Sequence, residues 1–181
     1  MVMKNRKAAV LAEVIMIVFI VALFTTITLF NLSGVVYKNS FKSRAHDLTG
    51  LFKKAVVSAA QGGRRYEIVL DFAQNSYLLR EMISGIVSVE DIEEEEIIYT
   101  GQFDEKFQLI YVMFDDGETT SEAPALFRVG KSGWQYGGKI VVADSDGSEY
   151  SIIVNRLSRT IEMLNGDVEI AMPQIADEMG F

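Results

Sequence analysis

Three hydrophobic patterns follow one another along the chain. Residues 14–30 are apolar or threonine throughout, and at ~1.5 Å per residue a helix of this length crosses most of a bilayer. Residues 31–61 carry apolar side chains at helical spacing, and the residues that follow form short β-rich runs bounded by turn residues. The pattern predicts a transmembrane helix over 9–30, an amphipathic continuation over 31–61 and an antiparallel β domain over 64–181.

The second segment predicts a helix with one apolar face. Its apolar positions are three or four residues apart and therefore fall on one side of a helix. They are Phe41, Ala45, Leu48, Phe52, Ala55 and Ala59. Gln61-Gly62-Gly63 predicts the end of the helix, because glycine accepts the left-handed conformation that commonly closes one. We expect the apolar face to pack on the sheet of the same chain.

Eight runs rich in β-branched and aromatic residues predict strands. They are Tyr66–Leu70, Tyr77–Arg80, Ile97–Thr100, Phe107–Phe114, Ala125–Val129, Lys139–Ala143, Tyr150–Asn155 and Thr160–Leu164. Turn residues such as Asp115-Asp116-Gly117 and Asp146-Gly147 separate several of them and favour hairpins. The predicted fold class is α+β: a long N-terminal helix, with a membrane-spanning half and an amphipathic half, packed on antiparallel β-sheet.

Basic residues precede the apolar segment. Lys4, Arg6 and Lys7 form a basic leader over residues 1–8, and the positive-inside tendency predicts a cytoplasmic N-terminus with the C-terminal domain on the other side. An ordinary secretory signal peptide is the competing interpretation. Its apolar region runs only about 7 to 15 residues and ends at small residues, which residues 28–34 fit poorly.

Glu13 is the one charged residue within the predicted transmembrane segment. A carboxylate at the bilayer centre costs roughly 2.5 to 3.5 kcal/mol, so it predicts a function that needs a cationic partner. No Lys or Arg lies between Glu13 and Lys38, so the same helix offers none deeper in the membrane. The alternative is a protonated Glu13 near the interface, or one beside a snorkelling Lys7, with no function.

The residues from Arg6 to Glu13, RKAAVLAE, followed at once by the apolar run, resemble the class III signal of type IV pilins and type II secretion pseudopilins. Later segments, including residues 44–62 and 65–71, are similar to minor pseudopilins of the H type and their FimT-like relatives. The resemblance implies cleavage between Ala8 and Ala9, N-methylation of Ala9 and pairing of Glu13 with the N-terminal amine of a neighbouring subunit. The family usually has Gly and Phe at the two positions held here by Ala8 and Ala9.

The function that the resemblance implies is that of a minor pseudopilin, a non-enzymatic structural subunit of a type II secretion pseudopilus involved in protein secretion. It also implies a single-pass inner (cytoplasmic) membrane protein whose C-terminal domain is periplasmic. The implied partners are other pseudopilins or pilins, a prepilin peptidase, the inner membrane and secreted protein cargo. A minor pilin of a type IV pilus and a single-pass membrane-anchored domain of unrelated function remain as alternatives.

The composition of the chain excludes several kinds of partner and site. The net charge is -8, and since residues 1–30 carry +2, the remainder carries -10. An acidic domain repels phosphate backbones, so we expect no nucleic acid partner. The absence of cysteine excludes disulfides and thiolate chemistry, and a single histidine, His46, excludes multi-histidine metal sites. We expect no cofactor, no metal and a surface position for His46.

Three further features invite a chemical interpretation. The acidic run, residues 90–96, crowds six carboxylates together, and we expect a solvated loop rather than a cation site or a surface for a basic partner. Residues 144–147, DSDG, resemble the opening of a calcium loop, but Asn155 stands at the twelfth position, so a hairpin turn is predicted. Trp134 is predicted to pack at a strand end rather than to bind a ligand.

Overall fold

The computed structural model describes residues 3–104 and 106–170, and within the helix it describes the side chains of residues 13–26 and 41–62. The helix, α1, runs over Met3–Gly62. The chain divides into two compact units, Met1–Ser40 and Phe41–Phe181.

The prediction of a transmembrane helix over 9–30 is wrong. Among the described residues, no helix is both long enough and apolar enough to cross a membrane. The predicted single-pass inner-membrane location with a periplasmic C-terminal domain is wrong for the same reason.

Ten strands among the described residues of the second unit form two antiparallel sheets of five strands each. Sheet 1 has the order β3-β2-β1-β6-β7, with bounds β1 (Tyr66–Asp71), β2 (Ser76–Glu81), β3 (Ile97–Gln102), β6 (Ala125–Gly130) and β7 (Gly133–Trp134). Sheet 2 has the order β10-β9-β8-β4-β5, with bounds β4 (Gln108–Phe114), β5 (Thr119–Thr120), β8 (Gly138–Ala143), β9 (Glu149–Val154) and β10 (Ile161–Asn165).

The predicted α+β class, built on a long membrane-spanning helix, is therefore wrong. Two complete sheets rather than one helix-covered layer supply the core of the second unit, and the described residues contain no long apolar helix. All eight predicted strands are confirmed to within two residues at each end. The two-residue strands β5 and β7 were missed because they are too short to show any alternation.

The predicted apolar stripe of the helix is confirmed. Each of its six residues, from Phe41 to Ala59, is at most 2% exposed, and the stripe shares one core with the inner faces of both sheets. Phe41 packs on Phe107, and Phe52 packs edge-on against Phe127 with 5.2 Å between ring centroids. The helix ends at Gly62, and Gly63 has a φ of 65° while its N–H donates to the Ala59 carbonyl at 3.0 Å.

A connecting segment also contacts the outer face of each sheet. On sheet 1 the loop between β2 and β3 contains two single-turn 3₁₀ helices, Val89–Asp91 and Glu94–Glu96. On sheet 2 the segment after β10 lies against β9, where the Ser151 hydroxyl donates to the Gly166 carbonyl at 2.8 Å. Three charged strand residues, Glu67, Arg80 and Lys139, are consequently buried.

Candidate functional site

Glu13 lies in a helical segment whose apolar side chains are exposed. The large apolar residues from Val14 to Phe24 expose between 45% and 67% of their surface, and they point to all sides of the helix. Met16 and Ile17, at helical spacing from Glu13, are 67% and 55% exposed. The segment 13–26, which we call the apolar segment, therefore presents a continuous apolar surface with one carboxylate at its start.

The two threonines of the apolar segment do not interrupt this surface. The Thr25 hydroxyl donates to the Val21 carbonyl at 2.7 Å, and the Thr26 hydroxyl donates to the Ala22 carbonyl at 2.8 Å. Hydroxyls satisfied within their own helix need no water. Glu13 is consequently the only polar group of this segment that requires a partner from elsewhere, and the described residues provide it with no ion pair.

Ala8 and Ala9, the predicted cleavage and methylation positions, lie outside the residues whose side chains are described. Their predicted roles stay predictions, as does the predicted role of Glu13 in subunit assembly.

A network of four charged side chains lies on the outer face of sheet 1, and all but Arg128, which is 21% exposed, are buried. Glu67 on β1 stands opposite Arg80 on β2 and Arg128 on β6. Arg80 Nη2 is 2.6 Å from Glu67 Oε2, and Arg128 Nε is 2.6 Å from Glu67 Oε1. Glu96 completes the network, with its Oε2 at 2.7 Å from Arg80 Nη1. Two positive and two negative charges balance, as burial requires.

The prediction that the whole acidic run is solvated is wrong for Glu96. Its side chain is only 2% exposed, whereas Glu90, Asp91, Glu93, Glu94 and Glu95 are exposed as predicted. Hydrogen bonds from the side chain and the backbone N–H of Ser84, with a further one from Arg80, lower the pKa of Glu96 to about 2. The carboxylate thus stays ionised and ties the loop to β2.

A second group of polar residues joins the segment after β10 to sheet 2. Lys139 Nζ lies 2.5 Å from Asp167 Oδ1 and donates to the Val168 carbonyl at 3.0 Å, while the Tyr111 hydroxyl donates to Asp167 Oδ2 at 2.6 Å. The hydrogen bonds from Lys139 and Tyr111 lower the pKa of Asp167. Burial lowers the pKa of Lys139, but its hydrogen bonds to Asp167 and Tyr111 outweigh burial and raise it overall.

A cleft of about 380 Å³ opens beside the β6–β7 turn. Three arginines line it, Arg65, Arg128 and Arg156, together with Trp134 and the apolar side chains of Met82 and Ile86. None of its described lining residues is acidic. We call it the arginine cleft. Sequence reasoning missed it, because its arginines come from three separate parts of the chain and no spacing rule connects them.

The remaining sequence predictions concern single residues. His46 is exposed, as predicted. Trp134 is confirmed as a packing residue: it is 4% exposed, lies against Phe52 with 5.4 Å between ring centroids, and its Nε1 has no hydrogen-bond partner in the described structure. The predicted turn at 144–147 is also confirmed, since Asp144 Oδ1 accepts a hydrogen bond from the backbone N–H of Asp146 at 2.8 Å.

No group of acidic, histidine or cysteine side chains within the described residues has the arrangement of a metal site. Comparisons of the chain with protein-family models, with curated proteins and with solved structures found no match. The resemblance to pseudopilins therefore rests on the residues of the N-terminal segment and on the order of the predicted elements alone.

Proposed function

We propose that this chain is a structural subunit of a filament, a minor pseudopilin of a type II secretion pseudopilus, and that it is not an enzyme. The observation that carries the proposal is the exposed apolar segment with Glu13 at its start. A helix that is apolar on all sides needs a cover of other apolar surface. In a filament, the same segments of neighbouring subunits supply that cover.

The position of Glu13 supports this assembly. Packing of the apolar segments removes the Glu13 carboxylate from water, and a buried carboxylate without a cation is strongly destabilising. After removal of residues 1–8, the free amine of Ala9 in a neighbouring subunit provides the cation. The pairing fixes how far one subunit is displaced along the filament from the next, so Glu13 sets the axial register.

The partners that follow from this role are other pseudopilins, the prepilin peptidase that cuts between Ala8 and Ala9, and secreted protein cargo. A minor pilin of a type IV pilus is the second candidate, because it would use the same segment and the same Glu13 contact. The charge of -10 beyond residue 30 disfavours direct capture of DNA by either filament.

Filament incorporation tests the proposal. The chain would be co-expressed with a prepilin peptidase and the other pseudopilins of a type II secretion system, and sheared filaments would be collected and probed for it. We expect Glu13→Gln to remove the chain from the filament fraction without lowering its level in cells. Glu122→Gln, which makes the same change at an exposed residue of the second unit, is the matched control and should be incorporated normally. Equal incorporation of both variants would contradict the proposed role of Glu13.

A further inference from the structure

Strand β3 forms one edge of sheet 1 and carries no charged side chain. Short strands and charges within a strand are common means by which proteins keep a sheet edge from pairing with another chain. Of the other three edge strands in the described part of the chain, β5 and β7 have two residues each and β10 contains Glu162. β3 has six residues, IIYTGQ, none of them charged. It is therefore the edge that is best suited to accept a further strand.

The strand register identifies which backbone groups of β3 face the open edge. The Phe103 N–H donates to the Asn75 carbonyl at 2.8 Å, in the same register that pairs β3 with β2 over residues 99–102. In an antiparallel ladder, alternate residues turn their N–H and C=O groups towards the same neighbouring strand. Because Phe103 faces β2 in this way, Thr100 and Gln102 turn their N–H and C=O groups to the open edge.

These outward-facing backbone groups are available to a partner. Among the described residues, Thr100 and Gln102 have no backbone hydrogen bond beyond the pairing of the strands, and both residues are exposed. Two apolar side chains of the same strand, Ile98 and Tyr99, are each 43% exposed. In β-strand addition, main-chain hydrogen bonds at a free edge provide affinity and the flanking side chains provide specificity. The edge of β3 offers both.

The charges at the start of β3 determine which kind of strand fits. Glu93, Glu94 and Glu95 lie just before the strand and are exposed. Glu96 fixes this end of the strand, because its buried carboxylate pairs with Arg80. Three carboxylates beside an open edge attract a segment with basic residues and repel an acidic one. A second copy of this chain, with a charge of -10 beyond residue 30, would bring like charge to the contact.

We propose that the open edge of β3 binds an extended, basic segment of another protein, which adds a strand to sheet 1. The added strand runs antiparallel to β3, as all the pairings in sheet 1 do, so its C-terminal end lies beside residues 93–95 and carries the basic residues. Its apolar side chains occupy alternate positions and pack on Tyr99, whose ring stacks on that of Tyr77 with 6.1 Å between centroids. The site lies entirely within the unit Phe41–Phe181 and does not rest on the proposed role of Glu13.

A labelled peptide tests the edge directly. The probe is a fluorescein-labelled peptide of six alternating threonine and valine residues followed by three lysines, with both ends blocked. The full chain, in a mild neutral detergent that shields the apolar segment, would be titrated into the peptide while fluorescence anisotropy is measured. We expect saturable binding that weakens with added salt, and about tenfold weaker binding of a peptide with glutamates in place of the lysines. Equal affinity for the two peptides would overturn the assignment of a basic partner.

Thr100→Pro tests whether the backbone of β3 makes the contact. Proline removes the N–H that faces the open edge, and it breaks no hydrogen bond to β2. We expect the affinity for the lysine peptide to fall about tenfold in Thr100→Pro, whereas Thr100→Val, which keeps the N–H, should bind as the unaltered chain does. A folded Thr100→Pro protein that binds as tightly as Thr100→Val would overturn the assignment of the edge.

Amide hydrogen exchange in the unaltered chain tests the same contact without any substitution. The N–H groups of Thr100 and Gln102 should exchange more slowly when the lysine peptide is bound, because the added strand accepts hydrogen bonds from them. Unchanged exchange at both residues in the presence of saturating peptide would show that the peptide binds elsewhere.

Two further comparisons test the charge of the partner. Glu93→Gln with Glu94→Gln should weaken binding of the lysine peptide about fivefold, whereas Glu118→Gln with Glu122→Gln, the same change at exposed residues elsewhere, should leave it unchanged. Equal affinity in the two double variants would contradict the role of the acidic run. In light scattering without peptide, the unaltered chain should have the same mass as Thr100→Pro. A larger mass for the unaltered chain would make a second copy the occupant of the edge and overturn the proposal.

Discussion

Arg80 Nη1 lies 2.7 Å from Glu96 Oε2, and both side chains are almost completely buried, at 0% and 2% exposure. This ion pair joins the middle of sheet 1 to the loop that crosses its outer face. Arg80 also binds Glu67 of the neighbouring strand, so one guanidinium joins β1, β2 and the loop that precedes β3. The stability of the second unit should therefore depend strongly on this residue.

Replacing Arg80 with methionine tests that dependence. Methionine keeps an unbranched apolar side chain, but it leaves the buried carboxylate of Glu96 without its cation and that of Glu67 with Arg128 alone. We expect a loss of about 3 to 5 kcal/mol in the free energy of unfolding, measured by urea denaturation, because removing one member of a buried ion pair leaves a charge uncompensated.

The control is Arg64→Met, which removes an exposed ion pair with Glu81. It should unfold close to the urea concentration of the unaltered protein, because exposed pairs contribute little. An Arg80→Met protein as stable as Arg64→Met would contradict the account of the network.

The pH dependence of stability should carry a contribution from Glu96. Its pKa falls from an ordinary value of 4.5 to about 2 because Ser84 and Arg80 stabilise the carboxylate in the folded state. A lowered pKa means that the stabilisation is complete above about pH 4.5 and is lost as the pH falls towards about 2. We expect the free energy of unfolding to decline over that interval, and to decline less steeply in Glu96→Gln.

Urea denaturation at about pH 7, 4.5 and 3 measures how steeply the free energy of unfolding depends on pH in the unaltered protein and in Glu96→Gln. Glu95→Gln changes the exposed neighbour and should keep the slope of the unaltered protein. If Glu96→Gln and Glu95→Gln showed the same slope, the lowered pKa of Glu96 would not contribute to acid stability.

Two glycines should respond in opposite directions to the same substitution. A Cβ at Gly138, the first residue of β8, would lie 2.4 Å from the Met113 carbonyl oxygen, which the strand pairing does not allow to move. Gly138→Ala should therefore destabilise the protein by about 1 to 3 kcal/mol. Gly50, within helix α1, has no atom within 4 Å of such a Cβ, so Gly50→Ala should stabilise it by about 0.5 to 1 kcal/mol. Thermal unfolding of the two variants tests both expectations. A change of the unfolding temperature in the same direction for both would contradict the packing described at Gly138.

The sequence pattern predicted those parts of the fold that depend on residues close together along the chain. The spacing from Phe41 to Ala59 depends only on the helical repeat, and all of these residues proved to be buried in the core. The strands were predicted correctly because β-rich runs and the turn residues that bound them are also local features of the sequence. Glu67, Arg80 and Lys139 were not recognised as buried, because a charged residue in an alternating strand normally faces water, and its burial depends on a loop or tail that is distant in sequence.

The candidate site was predicted only in part. Glu13 could be singled out because a lone carboxylate beside an apolar run is chemically unusual, and it is exposed in the structure. The arginine cleft could not, since Arg65, Arg128 and Arg156 meet only after the two sheets have formed. The transmembrane prediction relied on hydropathy alone, which records the apolar character of a segment but not what covers it.

The measurement that tests the proposed function most directly is mass spectrometry of the intact chain and of its N-terminal peptide, purified from cells that contain a prepilin peptidase. The account predicts a chain that begins at Ala9, carries one added methyl group and lacks residues 1–8. Ala8→Leu should block processing, whereas Ala12→Leu, the same change four residues later, should permit it. A chain that still begins at Met1 or Met3 in the presence of an active peptidase would contradict the assignment as a pseudopilin.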